Sequence, residues 1–257
     1  MATIREAAAP LANVLWRRLN RLTSLIPPPP FGGRPGVRKK VFLVCANPIG
    51  GSFSNAIADS AVRGLQASGH EIRRISLYDM PAEASIGLEA RRGEYSRLFA
   101  PLLSMDEREG YFEENNQPQL KRDPHVQYAI ESLRWCDSLV LVYPTWWFNI
   151  PAILKGFFDR CFVPGVGFRY NKETGKRETG LQNIQQVGIL TTYGFSKAQV
   201  SISGDAGRRM ISGGMRMLFA KDCTLQHMGM YEMQSPLVTH EHRVEFLDSV
   251  QDSFEKW

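Results

Sequence analysis

No stretch of the sequence offers the roughly 18 uninterrupted apolar residues of a membrane-spanning helix. The richest one, Leu139 to Phe158, is broken by Pro144, Asn149, Pro151 and Lys155. Cysteine is scarce: Cys45, Cys136, Cys161 and Cys223 are scattered, and no Cys-x-x-Cys or Asn-x-Ser/Thr occurs. These absences fit a reducing compartment and thiols that act as small core residues. Neither Gly-x-Gly-x-x-Gly nor a Walker lysine is present, which removes the two commonest phosphate-loop signatures. His240 and His242 lie two residues apart, so on a helix they diverge and read as solvated surface, not as a metal pair.

Basic charge is also scarce where a nucleic-acid binder would need it. Residues 1–40 hold eight Lys or Arg against one acid, Glu6, and the other 217 residues hold 23 basic and 25 acidic side chains. The net +5 therefore belongs to the arm, and the slightly acidic body lacks the footprint of a nucleic-acid surface. The arm closes with the Pro27–Pro30 run and a Gly/Pro-rich segment, the composition of a stiff spacer. Two units follow: residues 1–40 as a basic arm and residues 41–257 as the folded body.

What is present in the body is an alternation of two periods. Short β-branched runs at 41–46, 71–77, 138–143, 186–191 and 222–231 read as strands. Helical periods fill the gaps at 52–67, from a cap at Asp123-Pro124 to Trp135, at 151–161, 205–219 and 240–254. Strands separated by helices predict a five-stranded parallel sheet covered on both faces, an α/β doubly wound fold. The longest irregular stretch is Met80 to Arg122.

In such sheets ligands sit beyond the carboxyl ends of the strands. Three loops compete there. Asn47-Pro-Ile-Gly-Gly-Ser52 leads into Phe53, Ser54 and Asn55, placing hydroxyls, an amide and free N–H groups at a helix start, which makes an anion cradle without a positive side chain. A plain turn with a capping serine fits the same residues. Pro144-Thr-Trp-Trp-Phe-Asn-Ile-Pro151 sets Trp146, Trp147 and Phe148 in a row on a turn, where they cannot all point inward, and a flat conjugated ring suits the exposed face. Thr191, Thr192, Tyr193, Gly194, Phe195 and Ser196 add hydroxyls and backbone donors at the neighbouring strand end. Asp205, Arg208 and Arg209 could contact a nicotinamide phosphate, but read more simply as a capped helix with exposed arginines. Val163–Phe168 reads either as a flap over the pocket or as a surface loop.

These residues resemble the flavodoxin-like NAD(P)H:quinone oxidoreductases, which include the DT-diaphorase type and bacterial relatives. The resemblance spans about residues 41–254 and is most specific over Tyr143-Pro-Thr-Trp-Trp-Phe-Asn-Ile-Pro-Ala-Ile-Leu-Lys-Gly-Phe-Phe-Asp-Arg160, similar to the family's Pro-x-x-Trp-Phe-x-x-Pro-Ala-x-Leu-Lys-Gly. The first loop is similar to the family's His-Pro-x-x-x-Ser-Phe-Asn, with Asn47 in place of His and Ser54 in place of Asn. The resemblance implies a flavodoxin-like fold and a flavin, FAD or alternatively FMN, with Ser52, Phe53 and Ser54 on its phosphate. Thr145, Trp146, Trp147 and Phe148, with Pro144 beside them, would line its ring, and Thr191, Thr192 and Gly194 its other edge. It further implies hydride transfer from NAD(P)H to a quinone-like acceptor, and a homodimer. The DT-diaphorase type also has a Tyr and a His after the fourth strand, and Ser196–Asp205 contains neither.

An accessory subunit of a larger assembly, docked through residues 1–40, is the alternative. In the arm, Ile4, Ala8, Leu11, Leu15, Leu19, Leu22 and Ile26 fall near one helical face, with Arg18 inside the stripe. An Arg-rich, acid-poor amphipathic helix has the composition of a mitochondrial transit peptide, so a mitochondrial location is expected, with a cytoplasmic one as alternative.

Overall fold

The computed structural model describes residues 37–78, 108, 110 and 124–257. The expected arm helix, the Met80–Arg122 stretch and the expected Asp123 cap lie outside the described residues, apart from 108, 110 and the arm's last residues.

Within them, β1 (Lys40–Cys45) leads to α1 (Phe53–Ala67), β2 (Glu71–Ser76), α2 (Pro124–Trp135), β3 (Ser138–Pro144) and α3 (Ala152–Cys161). A short antiparallel hairpin, β4 (Phe168–Tyr170) with β5 (Arg177–Thr179), interrupts the alternation. The chain then forms β6 (Gln186–Thr192), α4 (Lys197–Ile202), α5 (Ala206–Arg209), β7 (Thr224–Met230) and α6 (His240–Glu255). The main sheet has five parallel strands in the order β2-β1-β3-β6-β7. This is the expected doubly wound, flavodoxin-like arrangement. Its strand order reverses between β1 and β3, which opens a crevice at their carboxyl ends.

Period-2 alternation builds both layers. Val41, Leu43, Cys45, Val140, Val142 and Leu190 face one core with α1 and α6, while Phe42, Val44, Leu139, Leu141, Tyr143, Val187 and Ile189 face the other. Each such side chain, wholly removed from water, contributes roughly 1.5–3 kcal/mol. Two glycines let α6 pack closely: a Cβ at Gly64 of α1 would meet the Gln251 carbonyl of α6 at 2.3 Å, and one at Gly188 of β6 would touch the Phe254 ring at 3.0 Å. All four cysteines are buried and unbridged, in keeping with core thiols.

Two local expectations need correction. The helix over 205–219 is broken: α4 precedes it under a Ser196–Gln199 capping box, α5 is one turn, and Met210–Gly214 widens to a π-helical stretch before a 3-10 turn over Met215–Leu218. The Gly213-Gly214 pair carries the high backbone entropy that disfavours an ordinary α-helix there. Val163–Phe168 is neither flap nor open surface. Val163 and Val166 enter the core, and the segment turns the chain into the β4–β5 hairpin. No helix among the described residues is long and apolar enough to cross a membrane.

Candidate functional site

The loop after β1 is held by its own amide side chains. Asn47 Oδ1 accepts from Ile49 N–H at 2.9 Å, its Nδ2 donates to Ser54 Oγ at 3.0 Å, and Asn55 Nδ2 donates to the Ile49 carbonyl at 3.0 Å. Gly51, at φ 68°, makes the turn that a side chain would strain. Ser52 caps α1 by accepting from Asn55 N–H, and the helix's first turn carries no acid. The first intrahelical bond runs from Ala56 N–H to Ser52 O, so the Phe53 and Ser54 N–H groups emerge at the positive end of the helix dipole. A Cβ at Gly50 or Gly51 would meet no atom within 4 Å, so the space over the cradle is open. The two positions that differ from the related motif, Asn47 and Ser54, thus bond to each other. The Ser54 hydroxyl is committed inward, and Phe53 lies toward Phe246, ring centroids 6.3 Å apart. What these two residues present to a ligand is backbone N–H, not side chain.

After β3 the chain makes a two-residue hairpin turn. Trp146 and Asn149 exchange both backbone bonds at 2.9 and 3.0 Å, and the residues between them, Trp147 (φ 51°) and Phe148 (φ 60°), are left-handed. This mirror-image turn ordinarily takes Asn-Gly. Two aromatics in it cost about 1–3 kcal/mol each. Trp147 is 97% exposed, so at least one of the three consecutive aromatics does point outward, as expected. Phe148 stacks on Phe195 of the β6 loop at 4.5 Å, and Thr145 donates through both N–H and Oγ1 to the Thr192 carbonyl at 2.9 Å. With Ala46 N–H on Val142 O, these contacts join the ends of β1, β3 and β6.

The β6 loop differs from expectation. Thr191 and Tyr193 face inward, because their hydroxyls serve a buried polar chain that the sequence reading missed. Tyr193 Oη–H donates to Asp205 Oδ1 at 3.1 Å, and Arg208 Nε–H donates to Asp205 Oδ2 at 2.5 Å. His227 Nε2, from β7, lies 3.0 Å from Thr191 Oγ1 and 3.2 Å from Tyr193 Oη. Burial, then the Arg208 charge, pulls the His227 pKa down to about 4, so the ring is neutral at pH 7. Burial raises Tyr193 and Tyr231, which stack at 4.6 Å, and Asp205 raises both further. The Tyr143 hydroxyl is buried near this chain without a partner. Asp205 stands at the start of α5, but its side chain makes no capping bond. It is a buried carboxylate at φ 44°, and Arg208 is its partner, not a free surface cation. A Tyr and a His do come together here, but from the ends of different strands, where a linear motif does not register them. Gly194 stays open on its outer side, with no atom within 4 Å of an added Cβ.

The structure thus brings Asn47, Ser52, Phe53, Ser54, Asn55, Pro144, Thr145, Trp146, Trp147, Phe148, Thr191, Thr192, Tyr193 and Gly194 to one end of the sheet. Ser54, Thr191 and Tyr193 support that end from within. Among the described residues, all four non-glycine positions with positive φ, Trp147, Phe148, Asp205 and Glu232, gather here, and no cluster of metal-ligating side chains does. His240 and His242 stand at the start of α6, where His242 completes a capping box with Thr239.

Comparison with known proteins gives a consistent picture. The ribosyldihydronicotinamide dehydrogenase-like protein traD of Penicillium crustosum is 29% identical over 181 residues, 65% of this chain and 62% of its own length. NAD(P)H dehydrogenase (quinone) 1 of Cavia porcellus is 28% identical over 169 residues, 66% of this chain and 58% of its own. The chain therefore spans about three fifths of these curated relatives, 62% and 58%. The solved NAD(P)H:quinone oxidoreductase of Methanothermobacter marburgensis shares the fold, with TM-score 0.63 and 20% identity over 85% of this chain and 96% of its own. The model of the family described as having a flavodoxin-like fold matches residues 39–245, and the chain belongs to that family.

Proposed function

We propose that the chain is a flavin-dependent oxidoreductase that takes hydride from NAD(P)H and delivers it to a quinone-like acceptor. The observation that carries this reading is the joining, at one sheet end, of an open anion cradle to an exposed aromatic turn held in a strained backbone. Strain of this kind persists where a ligand site needs a particular shape. The names of the relatives supply the reaction class.

The residues fit a flavin nucleotide. Phe53 and Ser54 N–H groups, with Ser52 at the helix start, would hold its phosphate, and Thr145, Trp146, Trp147 and Phe148 would flank its ring. Gly194, with no side chain, would admit it at the other edge. We favour FMN over FAD, because a cradle of backbone donors at one helix end suits a terminal phosphate. When bound, the flavin supplies two-electron chemistry, accepting hydride from a reduced nicotinamide and passing it on. The protein's own task is to bind, orient and exclude water; the neutral His227 and the Asp205–Arg208 pair keep buried charge balanced beneath the loop. A homodimer and mitochondrial targeting by residues 1–40 belong to the same proposal. No observation favours the accessory-subunit alternative.

The test is to titrate the full chain with FMN and FAD, following flavin absorbance, and then to add NADH or NADPH with a simple benzoquinone. Binding of one flavin and quinone-dependent oxidation of the nicotinamide are expected. Folded protein that takes up neither flavin at tens of micromolar would overturn the proposal.

A further inference from the structure

Tyr193 sits in the middle of the site loop, yet its side chain points away from the open side. It is 2% exposed. Its hydroxyl proton is committed to Asp205 Oδ1, so its lone pair must accept from His227. That requirement assigns the proton of the neutral imidazole to Nε2, where it is shared between Tyr193 Oη and Thr191 Oγ1. Donors and acceptors then run one way: His227 Nε2–H to Tyr193 Oη–H to Asp205, with Arg208 Nε–H closing the carboxylate's other oxygen. The chain ties together β6, β7 and the start of α5. Tyr231 stacks parallel to the Tyr193 ring, at 5° between planes, and blocks the ring's escape on that side.

Beyond Tyr193 the loop continues through Gly194 to Phe195, whose ring lies on Phe148 at the second left-handed position of the aromatic turn. The turn's own two backbone bonds do not explain why bulky residues hold positive φ. The Phe148–Phe195 stack supplies a contact that a relaxed turn would forfeit.

We propose that His227, Tyr193, Asp205 and Arg208 form a positioning unit, which fixes the β6 loop and, through Phe195 on Phe148, holds the aromatic turn in the conformation that receives the flavin. None of the four needs to touch the ligand. The proposal rests on the flavin reading above, and its test separates the two.

The experiment compares full-length wild type with Tyr193→Phe, His227→Leu, His227→Gln and Phe195→Ala, using FMN as the probe. Near-UV circular dichroism and tryptophan emission report the turn without ligand, and far-UV dichroism reports folding. Tyr193→Phe and His227→Leu should weaken FMN binding tenfold or more and change the near-UV spectrum. His227→Gln keeps an N–H donor near the Nε2 position and should recover affinity to within about threefold of wild type, a rescue that mere loss of packing would not give. Phe195→Ala leaves the buried chain intact, so it keeps the proposal testable if a core variant fails to fold, and it should weaken FMN binding by a similar factor. Folded Tyr193→Phe and Phe195→Ala proteins that bind FMN within twofold of wild type would overturn the proposal. If wild type binds no flavin, the functional reading falls, and the positioning unit is judged by spectroscopy alone. Unchanged near-UV dichroism and emission in Tyr193→Phe and Phe195→Ala would then sink it.

Discussion

The two ends of the sheet each carry a tryptophan, and they treat it in opposite ways. At the amino end, Trp257 is 4% exposed. Its ring packs on Phe254 at 4.7 Å, its Nε1–H donates to Gln226 Oε1 at 2.9 Å, and its carbonyl accepts from the buried Lys39 Nζ at 2.6 Å. Lys39 also donates to Gln186 Oε1 at 2.6 Å, and burial lowers its pKa. At the carboxyl end, Trp147 stands almost wholly in solvent on a left-handed backbone. One end is closed by packing and buried hydrogen bonds and the other is kept open at a conformational cost. The difference separates residues that make the fold from residues that make the site, and substitutions should divide along the same line.

The largest effect is expected at the closed end. Trp257→Ala empties a buried aromatic position and leaves Gln226 Oε1 without its donor, so it should cost about 3–5 kcal/mol in denaturant unfolding. The open end should keep its shape until that general loss is felt.

The next effect is a pH dependence at the carboxyl end. His227 has its folded pKa depressed to about 4 from an ordinary 6.5. Between those values the unfolded chain binds the proton and the folded chain does not, so stability is full above about pH 6.5, falls as the pH drops and levels off near 4. Wild type should lose up to about 3 kcal/mol more than His227→Gln over that range. Parallel unfolding curves for the two proteins from pH 7 to 4 would refute this assignment. Using the difference between them cancels His70, whose pKa is lowered by burial and by Lys39.

A smaller effect, of opposite sign to the first, is expected at Trp147. Glycine accepts φ 51° without strain, so Trp147→Gly should raise thermal stability by about 1 kcal/mol while weakening flavin binding about tenfold. Loss of stability in this variant would mean that the indole is packed, and the contrast between the two ends would collapse. The smallest effect concerns the arm: removing residues 1–36 should leave flavin affinity within twofold of the full chain, measured by the same titration, while abolishing mitochondrial import of a fluorescent fusion.

The sheet was legible because a buried parallel strand must be apolar on both faces. Val41–Cys45 and Leu139–Tyr143 announce themselves on that ground alone. The end of the sheet that carries the candidate site followed from chain alternation, and the exposure of at least one of Trp146, Trp147 and Phe148 from the crowding of three aromatics on one turn. The buried polar chain was not legible. His227 reads as an ordinary strand residue, and Asp205 before a helical period reads as a cap, because the contacts that redefine them come from Tyr193, 34 and 12 residues away. The break in the 205–219 helix escaped for a related reason. Ile211 and Met215 keep helical spacing, while the backbone departs at Gly213-Gly214, where no side chain records the change. The β4–β5 hairpin is three residues a strand, too short to show a period.

The most direct test of the account is a titration of the full-length chain with FMN, read by tryptophan emission in wild type and in Trp147→Phe. The solvent-exposed indole of Trp147 should give red-shifted emission that is quenched in step with flavin uptake, reaching its limit at one FMN per chain, and Trp147→Phe should lack that component. Stoichiometric FMN binding with the Trp147 emission unchanged would place the flavin away from the carboxyl ends of the strands and contradict the account.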